Sequence, residues 1–459
     1  VSDINNLQRA TFAMSWISRL FRRQPAEDIW DSSPSSFVLP DVPSQAPAPA
    51  IKARSAKLLR DPDTLGFSSS ANMLLSGAER LAGSDRSYRH AFTPSQPVGD
   101  VRRLAGRTAL IRRIIRSIED QDLHVVLYGD RGIGKTSVLK VIQNLAVRAN
   151  YLVHYVSCGQ SAGFCEVFRS LTGRIPLLYD GSSDPTSEGK NPSGGSLADY
   201  LPDGDFSVSQ LTDVFGRVEG TRILLILDEF DRSDVLGFRQ AIGELIKNLS
   251  DRSIRVQLLI GGVAANLTDL VSQVPSIRRN VVGIGVPNLT DDEVQEMVDI
   301  AEVSGNVRFD APARRRLTEV SAGLPYLVGL LGQHAVLEAA DAKQSQIAQS
   351  HVDRAAAIGC EEISSRLSLR CNFALNRAEM QMFAGLLERA AAEATSQGGL
   401  IVDTKVTAQL QQNSAILVDI LQPIDDDPRG GWRFKEDGTA SLIWLRSAIA
   451  RDALKTPTN

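Results

Sequence analysis

Long apolar runs are missing from this chain: no stretch approaches the ~18 consecutive apolar residues needed to span a bilayer, so no transmembrane segment is expected. Cysteine is scarce. Cys158, Cys165, Cys360 and Cys371 are scattered and include no CxxC pair. They fit a reducing, cytoplasmic compartment better than a disulfide scaffold or a zinc site. Histidine is nearly as scarce, and His90, His124, His154, His334 and His351 show no metal-ligand spacing. No HExxH occurs. A large charge of one sign is lacking too: a net charge of -4 argues against a chain coated by nucleic acid, though not against a local basic face.

What is present is an ordinary globular balance, 43% apolar and 23% charged, in 459 residues, room for roughly two or three domains. The first 90 residues read as an arm and linker, largely disordered. Near its start Trp16 and Leu20, and Ile17 and Phe21, stand four apart beside Arg19, Arg22 and Arg23. A basic amphipathic turn can lie on a membrane surface; the brevity of this one favours a mobile arm or docking peptide, and it lacks the apolar core of a secretion signal. Pro, Ser and Ala then dominate to about residue 98, a composition too poor in apolar area to offset backbone ordering, with a short helix possible at 64–82.

Order is expected from 91. Leu110, Ile111, Ile114, Ile115 and Ile118 make a helical stripe, with Arg107, Arg112, Arg113 and Arg116 around the other side. Strands at 124–128, 151–157, 222–228, 255–262 and 281–286 then alternate with helical segments, the signature of a parallel sheet covered on both faces. Residues 180–206 read as a flexible surface insertion rich in Gly, Ser and Pro. Val235, Phe238, Ile242, Leu245 and Leu249 predict an amphipathic helix. A first domain would cover 91–288, a helical one 289–358, and a last one 359–459. In the last, Asn376–Glu379 has capping-box spacing, AILVDILQPID reads as extended, and the turn DDDPRGG before WRFKE suggests a hairpin, so a winged-helix-like domain is expected.

The chemistry concentrates in Gly129-Asp-Arg131-Gly132-Ile133-Gly134-Lys135-Thr136, followed by Ser137. GxxxxGK[ST] between a strand and a helix is a phosphate cradle: the glycines let backbone N–H groups converge on phosphate at a helix N-terminus, Lys135 reaches the β and γ oxygens, and Thr136 offers its hydroxyl to Mg²⁺. ILLILDEFDR adds the partner motif, with Asp228 placed to hold Mg²⁺ through water and Glu229 to polarise the attacking water. No NKxD guanine-reading motif follows, which favours ATP over GTP.

In order along the chain, FTPSQPV, AGR, GDRGIGKTS, LDEFDR, PSIRRN and SAGLPYLVGLLGQHA resemble bacterial AAA+ ATPases of the origin-recognition-like group, related to replication initiators and STAND signalling ATPases, over residues 91–355. The resemblance implies an α/β P-loop fold with five parallel strands in the order 5-1-4-3-2, an α-helical lid over adenine, and sites completed by neighbouring subunits. It implies Gly106 and Arg107 beside adenine, Pro325 near the base, and Arg279, with Arg278 as fallback, as an arginine finger. Such a finger is worth ~10³–10⁵ in rate, about 4–7 kcal/mol of barrier. Two departures stand out. Ala265 or Asn266 occupies the sensor 1 region, and GLPY stands where initiators carry a sensor 2 arginine. Both point to slow turnover.

The expected function is an ATP-binding, slowly hydrolysing switch that forms homo-oligomers on binding Mg-ATP and signals to a protein partner. The alternative is a DNA-binding initiator- or transposition-type regulator using the C-terminal domain, against which the acidic run Asp425–Asp427 counts.

Overall fold

The computed structural model describes residue 88 and residues 91–179, 195–233, 235–263, 275–344, 346–397, 399–424 and 429–455. The basic turn at 16–23, the helix expected at 64–82, Ala265, Asn266 and the acidic run at 425–427 lie outside the described residues.

Five strands form one sheet: β1 (His124–Gly129), β2 (Leu152–Ser157), β3 (Ile223–Asp228), β4 (Val256–Val263) and β5 (Val281–Gly285). Their order is β2-β3-β4-β1-β5, all parallel, which is the expected order read from the other edge. Side chains alternate across the strands, and β3 shows what that does. Leu224 and Ile226 pack with α1 (Thr108–Glu119) and α2 (Lys135–Arg148) through Ile111, Ile114, Leu139 and Ile142. Leu225 and Leu227 join the opposite core, with Phe168 of α3 (Phe164–Thr172), Leu211 and Phe215 of α4 (Val208–Phe215), and Ile242 and Leu245 of α5 (Phe238–Asp251). Each such side chain is worth ~1.5–3 kcal/mol of burial. That is why β3 is buried at every residue while the edge strand β2 is only half-buried.

Several expectations need correction. Residues 180–194 lie outside the described set, but 195–206 are not a loose insertion: a 3₁₀ turn, Leu197–Tyr200, follows, and Leu197, Leu201 and Phe206 are buried. The polar composition hid apolar residues that anchor this segment to the sheet's second core. Helix α4 was not foreseen, although Ser207 and Gln210 form a reciprocal capping box at its start. Val235 precedes α5 instead of joining it, because Gly237 with φ 81 is the helix N-cap.

The lid comprises α6 (Asp291–Gly305), α7 (Ala311–Ser321), α8 (Pro325–Asp341) and α9 (Gln349–Arg366). Thr290 and Glu293 cap α6, and three acids in its first turn complement the helix dipole. Helix α9 runs unbroken across the boundary expected at 358, so lid and last domain share it.

Beyond it come α10 (Leu369–Asn376), α11 (Ala384–Ser396), α12 (Thr404–Gln412) and the one-turn α13 (Ser414–Leu417). The antiparallel hairpin β6 (Leu421–Pro423) and β7 (Trp432–Phe434) follows, then α14 (Thr439–Lys455). The helices and hairpin expected of this region are there. Two local readings fail: residues 415–417, expected to be extended, are helical, and Asn376 does not start a helix. That residue ends α10, its amide oxygen accepts from Arg446 at 3.2 Å, and α11 begins only after a 3₁₀ turn, Ala378–Phe383. The unforeseen α14 returns to the lid. Trp444 Nε1 donates to Val320 O at 3.1 Å, and Arg316, buried and paired with Asp353 at 2.7 Å, donates to Ala448 O at 3.4 Å. Among the described residues, no helix is long and apolar enough to cross a membrane.

Candidate nucleotide site

The site forms where β1 ends. Gly129, Gly132 and Gly134 all have positive φ (147°, 79° and 91°), the region L side chains avoid. At Gly134 this is the N-cap of α2, and no side chain caps the helix. The first-turn N–H groups therefore face the loop, a ready seat for phosphate. Lys135 is 9% exposed, and its ammonium donates to Gly129 O at 3.0 Å and Asp130 O at 2.8 Å. The lysine thus staples its own loop and must release those carbonyls to meet a phosphate. Burial lowers its pKa, opposed by Asp130, Asp231 and Asp228. Ser137 Oγ accepts from Val98 N at 3.1 Å, tying the entry segment to α2.

Asp228 ends β3 and is 3% exposed. Its Oδ1 accepts the N–H of Glu229 at 2.8 Å and its Oδ2 the hydroxyl of Tyr155 at 2.6 Å. Gly261 on the adjacent strand leaves the room: a Cβ there would lie 3.1 Å from Asp228 Oδ1 and 2.7 Å from Leu139 Cδ1. Glu229 adopts φ 53, an uncommon backbone for a residue with a side chain. Its carboxylate accepts from Ser157 Oγ at 2.8 Å and Arg232 Nη1 at 2.9 Å. The neighbouring Cys158 thiol is pushed up to about 12 by burial, then by Asp228, Glu229 and Asp231, so it is no nucleophile.

Gly106 and Arg107, which the family resemblance sets beside adenine, lie beside this loop. Arg107, buried, donates to Ile133 O at 3.3 Å, and Gly106 N donates to Glu296 of α6 at 2.9 Å. Burial lowers the Arg107 pKa, with Glu293 opposing. Pro325 is the first residue of α8, where its missing N–H costs nothing. The next residue, Tyr326, donates its N–H to Gly132 O at 3.2 Å, joining lid to phosphate loop. Gly323 has φ 69, and a Cβ there would come 2.1 Å from Leu289 O, so glycine is obligatory in GLPY. Phe92, Leu104, Leu289, Met297 and Ile300 line the cleft with Pro325, an apolar pocket suited to a base.

Several participants escaped the sequence reading. Asp437, just before α14, pairs with the expected loop residue Arg131 at 2.6 Å. Asn288 Nδ2 donates to Ala322 O at 3.1 Å and to Thr395 O of α11 at 2.6 Å, bridging lid and last domain where they leave the core. Tyr155, Ser157 and Tyr326 are the others. None belongs to a contiguous motif with the groups it touches, so no sequence signal pointed to them.

Arg278 and Arg279 are exposed at the end of a 3₁₀ turn, Pro275–Arg279, anchored by buried Ile277. They precede β5, whose Val281 pairs with His124 at the start of β1. They therefore lie at the amino ends of the strands, about 20 Å from the carboxyl ends by strand rise alone. The structure does not bring Arg279 to its own phosphate loop.

Hard oxygen donors at Thr136 and Asp228 fit Mg²⁺, which keeps several waters and takes few protein ligands. Among the described residues, no cluster of three or more His, Cys, Asp or Glu suited to a metal occurs.

Residues 103–260 match the family model described as the AAA ATPase domain. No curated protein matches the chain. Among solved structures it is similar to the RuvB Holliday junction branch migration motor of Thermotoga maritima, at 15% identity and TM-score 0.40 over 79% of this chain and 98% of that one. It is also similar to the Aeropyrum pernix ORC1 protein in complex with DNA (17%, TM-score 0.42, 80% and 96%). A third is Cdc6p from Pyrobaculum aerophilum (14%, TM-score 0.41, 80% and 98%). The sheet order and the phosphate loop are those of a P-loop ATPase fold, within which residues 103–260 match the AAA ATPase domain.

Proposed function

We propose that the chain binds and slowly hydrolyses Mg-ATP and works as a nucleotide-controlled assembly switch that signals to a protein partner in the cytoplasm. The observation that carries this reading is the cleft's construction: lid and last domain both touch the core's phosphate loop, through Tyr326 on Gly132 and Asp437 on Arg131, and Asn288 at the end of the core bonds to both. A ligand that displaces Lys135 from the loop carbonyls alters the one segment on which three units rest. Only differential affinity for two arrangements can drive such a change.

In this reading Glu229 orients and polarises the attacking water, Lys135 and the loop N–H groups neutralise the β and γ oxygens, and Arg107 holds Ile133 in place. Thr136 and Asp228 would hold magnesium, which would supply neutralisation of the phosphate charge. Glu229 is held by Ser157 and Arg232, so its carboxylate is restrained until those bonds rearrange. Arg279 reaches only a neighbour's site, which makes hydrolysis depend on assembly. The proposed units are an arm over 1–90, the ATPase core over 91–288, the lid over 289–358 and a winged-helix-like domain over 359–459.

Sedimentation with ATP of wild type and Arg279→Ala, with and without duplex DNA, tests the proposal. Nucleotide-dependent assembly of both, with hydrolysis only in wild type, supports it. A monomer under every condition, or turnover above ~10 s⁻¹, an ordinary enzyme rate, overturns it. Salt-dependent duplex binding transfers the case to the DNA-regulator reading.

A further inference from the structure

Tyr155 has no part in the reaction just described, yet it makes the shortest polar contact at the acid pair. It lies in the middle of β2, and its hydroxyl donates to Asp228 Oδ2 at 2.6 Å. Its ring carries a second contact: the Lys140 ammonium stands 3.3 Å from the ring centroid. Lys140 is four residues beyond Thr136 on α2, one turn along the same face. The ring is thus held between the helix that supplies Thr136 and the strand that supplies Asp228.

A carboxylate offers about four lone-pair positions, and its terminal torsion is soft. At Asp228 the Glu229 N–H takes a position on one oxygen and the Tyr155 hydroxyl a position on the other. Two donors on different oxygens fix the rotation of the carboxylate plane; one donor alone leaves it free to turn. These two donors leave a position on each oxygen, and Asp228 lines the cleft.

We propose that Tyr155 is a positioning residue for the magnesium seat, its hydroxyl locking the Asp228 carboxylate in the orientation at which Asp228 and Thr136 can hold a hydrated divalent cation beside a nucleotide. This rests on reading the cleft as a Mg-nucleotide site. Partners that orient a metal-binding carboxylate typically change metal affinity ~10–100-fold when removed.

The test uses the full chain and a fluorescent ADP, so that no turnover is needed. Anisotropy gives the ADP affinity in EDTA and then the Mg²⁺ concentration at half-effect. Tyr155→Phe keeps the ring over which Lys140 sits. It is expected to raise the Mg²⁺ midpoint ~10–100-fold while leaving the metal-free ADP affinity and the unfolding midpoint of the apo protein unchanged. In an Asp228→Asn background the same substitution should add no further shift, because the hydroxyl acts through that carboxylate. An unchanged Mg²⁺ midpoint in Tyr155→Phe, with wild type binding normally, overturns the assignment of Tyr155 alone. So does a shift that persists in full with Asp228→Asn, or equal losses with and without metal. Wild-type protein that binds no nucleotide at all overturns the underlying reading of the cleft as well.

Discussion

The two ends of the sheet are built on opposite principles. At the carboxyl ends, polar groups are sunk into a cleft and held by one another: Lys135 on its loop, Asp228 under Tyr155, Glu229 under Ser157. At the amino ends, Arg278 and Arg279 stand in solvent, while the buried His124 is consumed by the fold. His124 Nδ1 accepts from Leu258 N at 3.0 Å, and Nε2 lies 3.3 Å from Ser250 Oγ. Parallel strands place everything that follows a strand on one side and everything that precedes it on the other. A site needing residues from both sides has to be completed by a second copy, and that is the physical content of the switch proposed above.

Removing Arg279 should break the comparison most sharply. Arg279→Ala is expected to lower assembly-stimulated ATP hydrolysis by ~10³–10⁵ and to leave nucleotide affinity at the carboxyl ends intact. Equal hydrolysis in the variant and the parent at high protein concentration would remove the finger. Glu229→Gln comes next. Loss of a positioned base should slow hydrolysis ~10²–10⁴-fold while ATP still binds and assembles the chain, a separation visible by pairing phosphate release with sedimentation.

The third prediction concerns stability at the amino ends. Burial lowers the His124 pKa to about 4 from about 6.5 in the unfolded chain. The unfolded state therefore binds more protons between those values, and stability rises with pH through that window. The contribution is fully present above ~6.5 and is lost toward pH 4, by up to about 3 kcal/mol at 1.36 per unit. Denaturant midpoints at pH 7 and pH 5 should show the fall in wild type and a smaller one in His124→Gln.

The smallest effect belongs to the contact between phosphate loop and last domain. The Arg131 and Asp437 side chains are 61% and 58% exposed, and exposed pairs contribute ~0–1 kcal/mol. Asp437→Asn should therefore speed nucleotide release only a few-fold by stopped-flow. A hundred-fold change would mean that the pair, rather than Tyr326 and Asn288, governs closure.

The core was legible because its signals are local. A glycine-rich turn between an apolar run and a helix announces Gly129–Thr136 within one window, and an apolar run ending in adjacent acids announces β3 with Asp228 and Glu229. The sheet order was carried by family resemblance instead, since nothing in the strands' own composition orders them. Helix α4 has a capping box at Ser207 and Gln210 that the sequence also carries, just beyond the polar insertion. For α13, a run of Ala, Ile, Leu and Val suits helix or strand equally. The single turn was decided by packing, with Leu417 buried against the hairpin core.

The sequence alone determined the glycine-rich loop and the two acids that end β3, because those groups are adjacent in the chain and their chemistry demands particular residue types. Only the tertiary structure decided what supports them. Tyr155 lies 73 residues from Asp228, Asn288 107 from Thr395, and Asp437 306 from Arg131. Contacts at such separations come from how helices and strands pack, and packing leaves no mark in any local stretch of residues.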